Sequence, residues 1–381
     1  MTVRAQTEVA YEPVIGLEVH AQLDVRTKLF CACSTRFGAP PNTHVCPVCL
    51  GLPGALPVLN LAAVEAAVRL GLSVGCTVHT ESIFARKNYF YPDLPKGYQI
   101  SQFSRPFATG GHIEAEVDSR PFSVRLTRIH LEEDAGKSTH ADLAAQDTNT
   151  YLDFNRAGVP LCEIVSEPDL HSPEAAHAYL VRLRSILTYL GVCDGNMEEG
   201  SMRADANISL RPAGTTTLGT RTELKNLNSF RNVQRALVHE IARQRRRLAG
   251  GETIVQETRL YDADADVTRT MRSKEESPDY RYFPEPDLLP LIIDAARREQ
   301  LAATLPEMPA ARRRRFIDDL ALGEDAADFL TRSRPLADYC EAVIAAGATP
   351  RAAANWIMGE LTRLLHDRKL PIALSPIDPD R

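Results

Sequence analysis

No stretch of the 381 residues approaches the roughly 20 consecutive apolar residues of a membrane span. The opening MTVRAQTEVAYEP also lacks an apolar core of leader length, so no membrane association and a cytoplasmic location are expected. There is no excess of basic charge either. Lys and Arg total 44 against 50 Asp and Glu, a formal net charge of -6, so any RNA contact must come from local patches. The G-x-S-x-G elbow is absent, as is an amidase-type cluster of serine and lysine, and the chain is not expected to hydrolyse amides itself. Gly136, Lys137 and Ser138 resemble the end of a phosphate loop, but that loop needs a glycine five residues earlier, where Leu131 stands. In a reducing compartment the eight cysteines read as thiols or metal ligands rather than disulfides.

What is present is alternation. In VIGLEVHAQL, Ile15, Leu17, Val19, Ala21 and Leu23 share one parity, while Gly16, Glu18, His20 and Gln22 share the other. That is a half-buried strand, and its Glu and His at i and i+2 project side by side. Solvated polar faces are common on such strands, so one instance proves little. The pattern recurs, however: Arg203, Asp205, Asn207, Ser209 and Arg211 stand opposite an unbroken apolar row, and TRTELKNL puts Arg221, Glu223 and Lys225 on one face. In RLTRIHLEEDAGK the parity slips after Leu126, which leaves open whether Glu132, Glu133 or Asp134 faces inward. Strands of one sheet with these faces would line a concave surface of mixed charge, suited to metal-assisted chemistry on phosphate. Glu163 and Glu167 in LCEIVSEPD read equally as turn stabilisers or as a wall of that site.

Helices are expected from Ser172 and Pro173 to Gly191, from Asn228 or Ser229 to Gly250, and between Asn60 and Gly71. SPDYRYFPEPDLLP reads as an ordered loop, and beyond residue 292 the composition turns to Ala, Arg and Leu, which predicts helix. The expected organisation is therefore an α+β domain over 1–292, built on a mainly antiparallel sheet, and an all-helical domain over 293–381. The arginine runs 245–247 and 312–315 fit solvated helix faces at least as well as RNA contacts. Cys31 and Cys33, followed by Cys46 and Cys49, form a C-x-C and C-x-x-C set for one tetrahedral, structural Zn²⁺ at a knuckle over 31–49. Four sulfur ligands leave no open catalytic position. Cys76, Cys162, Cys193 and Cys340 are scattered and read as small apolar residues.

The strings VIGLEVHAQL, RKNYFYPDLPKGYQISQF, LEEDAGKSTH, NRAGVPLCEIVSEPD, MEEGSMRADANISLRP, ELKNLNSF and DYRYFPEPDL resemble the GatB component of the GatCAB aspartyl/glutamyl-tRNA(Asn/Gln) amidotransferases, in that family's order. The resemblance implies a cradle domain like that of glutamine synthetase and guanido kinases, then a helical domain. The family's tail domain would begin where the sequence stops at PIDPDR, so it is expected to be missing. It further implies an ATP-dependent ligase component that converts the side-chain carboxylate of misacylated Glu-tRNA(Gln) or Asp-tRNA(Asn) to an acyl phosphate. Ammonia from the glutaminase component GatA would then attack it, in a heterotrimer completed by the small component GatC. Carried over by position, Glu18, His20, Glu133, Asp205 and Glu223 are expected to form the magnesium and active-site cluster. Mg²⁺ prefers oxygen, so His20 would bind through water or make the site tolerant of Mn²⁺. Arg203 and Lys225 are expected to stabilise the transferring phosphoryl group. The rival reading is a zinc-containing tRNA-binding module without chemistry of its own. The archaeal GatE relative carries an insertion for which no room exists after Leu289.

Overall fold

A computed structural model describes residues 10–140, 149–273 and 279–380. Residues 1–9 of the N-terminal string and Ser277 and Pro278 of the Pro-rich segment lie outside the described residues. The chain divides into two compact units, one of residues 1–183 and 192–303, the other of 184–191 and 304–381. The composition shift at 292/293 thus falls inside the first unit.

The first unit is built on a ten-stranded, mostly antiparallel sheet, which makes it α+β. The strands that matter below are β1 (Tyr11–Gln22), β4 (Arg120–Glu133), β5 (Pro160–Ser166), β6 (Met202–Pro212), β7 (Thr222–Leu227), β8 (Glu257–Asp262) and β9 (Val267–Ser273). They lie side by side in the order β9-β8-β7-β6-β1-β5-β4. A smaller sheet holds β2 (Ala85–Asn88) between β3 (Tyr98–Ser101) and β10 (Phe283–Pro284). The Pro-rich segment is therefore strapped to β2 at Phe283 and Pro284, not a free linker.

β1 is central because its apolar parity is complete. Ile15, Leu17, Val19 and Ala21 are buried on one side and meet Ala204, Ala206 and Ile208 of β6 in register. The β6 side of that row is covered by α3 (Phe230–Ala249), whose Val233, Ala236, Leu237 and Ile241 are buried and which packs on β6, β7 and β9. Ser229 caps its first turn by accepting from Asn232 N–H at 3.1 Å. α3 also makes the crossover between β7 and β8, the parallel pair in the sheet, as parallel neighbours require. The other expected helices stand as α1 (Leu61–Ser73), capped by Asn60, and α2 (Pro173–Leu190). A short α4 (Ala295–Ala302) packs on α1.

The second unit is helical: α5 (Pro309–Asp318), α6 (Glu324–Thr331), α7 (Arg334–Ala345), α8 (Pro350–Trp356) and α9 (Thr362–Asp367) close around Phe316, Leu330, Ala337, Cys340 and Ile357. Three of the four arginines in its run are paired internally. Arg312 pairs with Asp338 and Glu341, Arg313 with Asp328, and Arg315 with Glu307 and Glu341. No helix among the described residues is long and apolar enough to cross a membrane.

Candidate active site

Antiparallel register places side chains of directly opposed residues on one face. His20 on β1 stands opposite Glu163 on β5 and Arg203 on β6, and Glu163 stands opposite His130 on β4. One row, His130, Glu163, His20, Arg203, therefore crosses four strands. The next residue on the polar parity of β4 is Glu132, and it joins the row. His20 Nε2 lies 3.4 Å from Glu163 and 3.5 Å from Glu132; His130 Nε2 lies 3.3 Å from Glu163 and 3.6 Å from Glu132.

Two carboxylates and two imidazoles thus share one buried spot. Burial alone would push the Glu163 and Glu132 carboxyls up, but the two histidines hold Glu132 below its ordinary value and Glu163 well below it. Burial would likewise push the histidines down, but the carboxylates raise His20 and bring His130 up to about 9. The ligand atoms of His20, Glu132 and Glu163 all lie within 4.8 Å of one another. Two carboxylate oxygens and one imidazole nitrogen fit a divalent cation, and they are a better donor set for Mn²⁺ than the all-oxygen shell Mg²⁺ favours.

The magnesium set expected from the sequence does not converge. Glu133 has the opposite parity to Glu132 and leaves the face: its Oε1 accepts from Ile100 N–H at 2.8 Å and pairs with Lys96. The acid that the structure brings to His20 is Glu132, not Glu133. The parity slip after Leu126 is a β-bulge, since Ser166 opposes Leu126 while Val165 opposes Arg128. Asp205 and Glu223 gather instead around Lys225 Nζ, at 2.6 and 3.1 Å. A second bulge does this. Lys225 and Asn226 together oppose Asp205, and Asn226 takes φ +66° to turn Lys225 back onto it. Thr258 Oγ1 donates to Glu223 at 2.7 Å. Glu18, opposite Asp205, accepts from Asn207 Nδ2 at 2.9 Å, and burial together with Glu163 and Asp205 raises its carboxyl pKa.

Arg203 is engaged with a carboxylate. Its two terminal nitrogens each lie 3.0 Å from an oxygen of buried Asp134, which also accepts from Gln22 at 2.9 Å. Burial would raise Asp134, but Arg203 and Arg156 hold it below its ordinary value of 3.8. A depressed carboxyl stabilises the fold above its unfolded pKa and loses that contribution as pH falls through the folded one. In the metal-free protein, Asp134→Asn is expected to cost about 3 kcal/mol at pH 7, the loss from breaking a buried pair. It should also flatten the acid limb of the stability curve below pH ~4. Denaturant midpoints from pH 3 to 7 check this, and parallel limbs in wild type and variant would refute it.

The four knuckle sulfurs also lie within 4.8 Å of one another. Cys31 draws the Cys49 thiol pKa down, with Lys28 adding to the effect, as a thiolate ligand requires. Lys28, fully buried, donates to the carbonyls of His44 and Phe154 at 2.7 and 3.2 Å and lies 3.5 Å from Cys49 Sγ. The donor set fits one Zn²⁺, with the ammonium offsetting part of the tetrathiolate charge. Gly51 closes the knuckle at φ +67°, and a Cβ there would stand 2.4 Å from Lys96 Cγ. The knuckle therefore abuts the lysine that holds Glu133.

His130 carries no signal of its own in the sequence, Glu132 is one of three acids whose facing is open there, and Glu163 reads equally as turn stabiliser or site wall. Glu167, its companion, accepts from Thr127 at 2.7 Å, outside the cluster. The only available signals were the parity of IHLEE and the slip before it.

The family described as the GatB/GatE catalytic domain matches residues 13–299. The GatB component of the aspartyl/glutamyl-tRNA(Asn/Gln) amidotransferase of Oleidesulfovibrio alaskensis is 57% identical over 370 residues, which is 97% of this chain and 77% of that protein. Its counterparts in Solidesulfovibrio magneticus and Geobacter sulfurreducens are 56% and 55% identical over 371 residues, 97% of this chain and 77% and 78% of theirs.

Proposed function

The chain belongs to the GatB/GatE catalytic-domain family, and we propose that it is the component of a cytoplasmic, tRNA-dependent amidotransferase that activates a side-chain carboxylate with ATP and passes it to ammonia. The large sheet is read as the cradle that the family resemblance implies. The partners are a glutaminase and a small third protein, and the substrates are Glu-tRNA(Gln), Asp-tRNA(Asn) or both. The observation that carries this reading is the convergence of Glu132, Glu163 and His20 on a face otherwise lined with Asp205, Glu223 and Lys225.

His20, Glu132 and Glu163 would hold a divalent cation. When bound, the cation supplies the positive charge that lets the anionic carboxylate approach the ATP phosphates. A carboxylate oxygen attacks the γ-phosphorus and ADP leaves; ammonia then attacks the carbonyl carbon and inorganic phosphate leaves. Lys225, held by Asp205 and Glu223, is placed to meet phosphoryl oxygens as their charge develops. Arg203 orients the corner through Asp134 instead of touching the phosphoryl group. Glu18, with its raised proton affinity, is the group suited to take the proton that the attacking ammonia sheds.

A zinc-bearing tRNA-binding module without chemistry would have no use for buried carboxylates, which repel a phosphate backbone. Reconstitution with the two partner proteins, misacylated tRNA, ATP and glutamine tests the proposal. Amide should form only with all components, and ATP cleavage should depend on the tRNA. Amide formation without ATP, or none on either tRNA, would overturn it.

A further inference from the structure

Aromatic residues are only 6% of the chain, yet several gather at one edge of the acidic face. β2 and β3 bring Lys87 and Ser101 there. Ser101 Oγ lies 3.2 Å from Glu132 Oε2, and the charge of Lys87 is felt by Glu132 and Glu163. Rings surround that lysine: Nζ sits 4.9 Å from the centre of Tyr280 and 5.9 Å from that of Tyr89. Tyr280 meets Tyr282 edge-on at 6.0 Å, and Tyr282 lies flat on Phe103, with centroids 4.0 Å and planes 5° apart. Phe103 is 51% exposed, and Phe90, following β2, is 83% exposed. Tyr89, Tyr280 and Tyr282 are half-buried, but folding gains little from Phe103 and Phe90, which are left largely in water.

We propose that the Phe103–Tyr282 stack seats the unpaired base at the 3′ end of the RNA that carries the substrate amino acid. This rests on the amidotransferase reading and adds the subsite that delivers the substrate. Three features argue for it. Single-stranded RNA ends are recognised chiefly by stacking on aromatic rings, because every base has a π-face and an unpaired one can splay out. The position agrees, since an amino acid esterified to the terminal ribose must reach the Glu132, Glu163 and His20 cluster, and Ser101, two residues before Phe103, lies 3.2 Å from Glu132. Lys87, between rings and carboxylates, supplies a cation where the terminal phosphate or the substrate carboxylate must pass. The adenine of ATP is the competing occupant of the same chemistry. A small nucleotide is better held in a concavity, and the one walled by Gly16, Glu18, Ser166, Asn207 and Arg221 offers it a separate seat; an open stack suits the end of a polymer.

The test uses the assembled complex and a substrate tRNA whose 3′-terminal adenine is replaced by 2-aminopurine, a base whose fluorescence is quenched on stacking. Binding to the wild-type complex should quench it. Phe103→Ala should remove most of the quench and raise KM for the acylated tRNA at least about fivefold, the low end of what one stacked base contributes. In that variant kcat and KM for ATP should stay within about twofold. Phe103→Tyr should restore both quench and KM, which separates lost stacking from misfolding. An unchanged quench and tRNA KM in Phe103→Ala would overturn the proposal, as would a raised KM for ATP alone, which would hand the rings to the nucleotide. Failure of the amidotransferase reading looks different: the wild-type complex would then make no amide on any tRNA, while the quench would still report stacking.

Discussion

Glu132→Gln and Glu133→Gln, neighbours in sequence, are expected to give opposite phenotypes. Glu132 lies between His20 and His130 and takes the hydroxyl of Ser101, so its charge serves the cluster. Removing that charge takes away one of the three ligands proposed for the cation, and loss of several kcal/mol of transition-state stabilisation corresponds to about 10²- to 10⁴-fold in amidation rate. Stability should change little, because two histidines that needed the carboxylate can titrate to neutral. Glu133 faces away and neutralises Lys96, whose side chain is 9% exposed. Its replacement leaves a buried ammonium without its partner, a cost of about 3 kcal/mol, with amidation falling only as far as the loosened end of β4 disturbs Glu132. Amidation rates and denaturant midpoints measured on both variants decide it. An inactive Glu133→Gln of full stability beside an active Glu132→Gln would return the cluster to Glu133.

Removal of zinc should be the largest single stability effect. One equivalent of metal is expected by elemental analysis. Apparent binding energies of structural zinc start at about 10 kcal/mol, and if half of that is felt in the folded protein the loss on Cys46→Ser is about 5 kcal/mol. At about 2 °C per kcal/mol for a domain of this size, calorimetry should show Tm lower by roughly 10 °C. The damage should also reach the active site, because Gly51 rests on Lys96, which holds Glu133 at the end of β4. Metal-free protein purified under reducing conditions with an unchanged Tm would contradict the zinc assignment.

Much of this is legible in the sequence alone. The strict alternation of β1 and β6 marks their polar faces, Ser229 and Asn60 mark helix starts, and the cysteine spacing marks the knuckle, because each signal lies within a dozen or so residues. Glu18, His20, Arg203, Asp205, Glu223 and Lys225 all fall on the face that parity assigns them. Their groupings do not follow from parity. Arg203 is held by Asp134, and Lys225 is turned onto Asp205 by a bulge at Asn226.

Alternation is a property of one strand, dictated by backbone geometry that repeats every two residues. It could say that VIGLEVHAQL has a polar face carrying Glu18 and His20. Partnership is a property of register between strands far apart in the chain: Glu18 meets Asn207 across 189 residues. Shifting one strand by a single residue would put Glu133 where Glu132 stands. The choice of Glu132, Glu163 and His20 as one cluster was therefore left to the pairing of β1 with β5 and β5 with β4, and to the bulge that resets parity between Leu126 and Arg128.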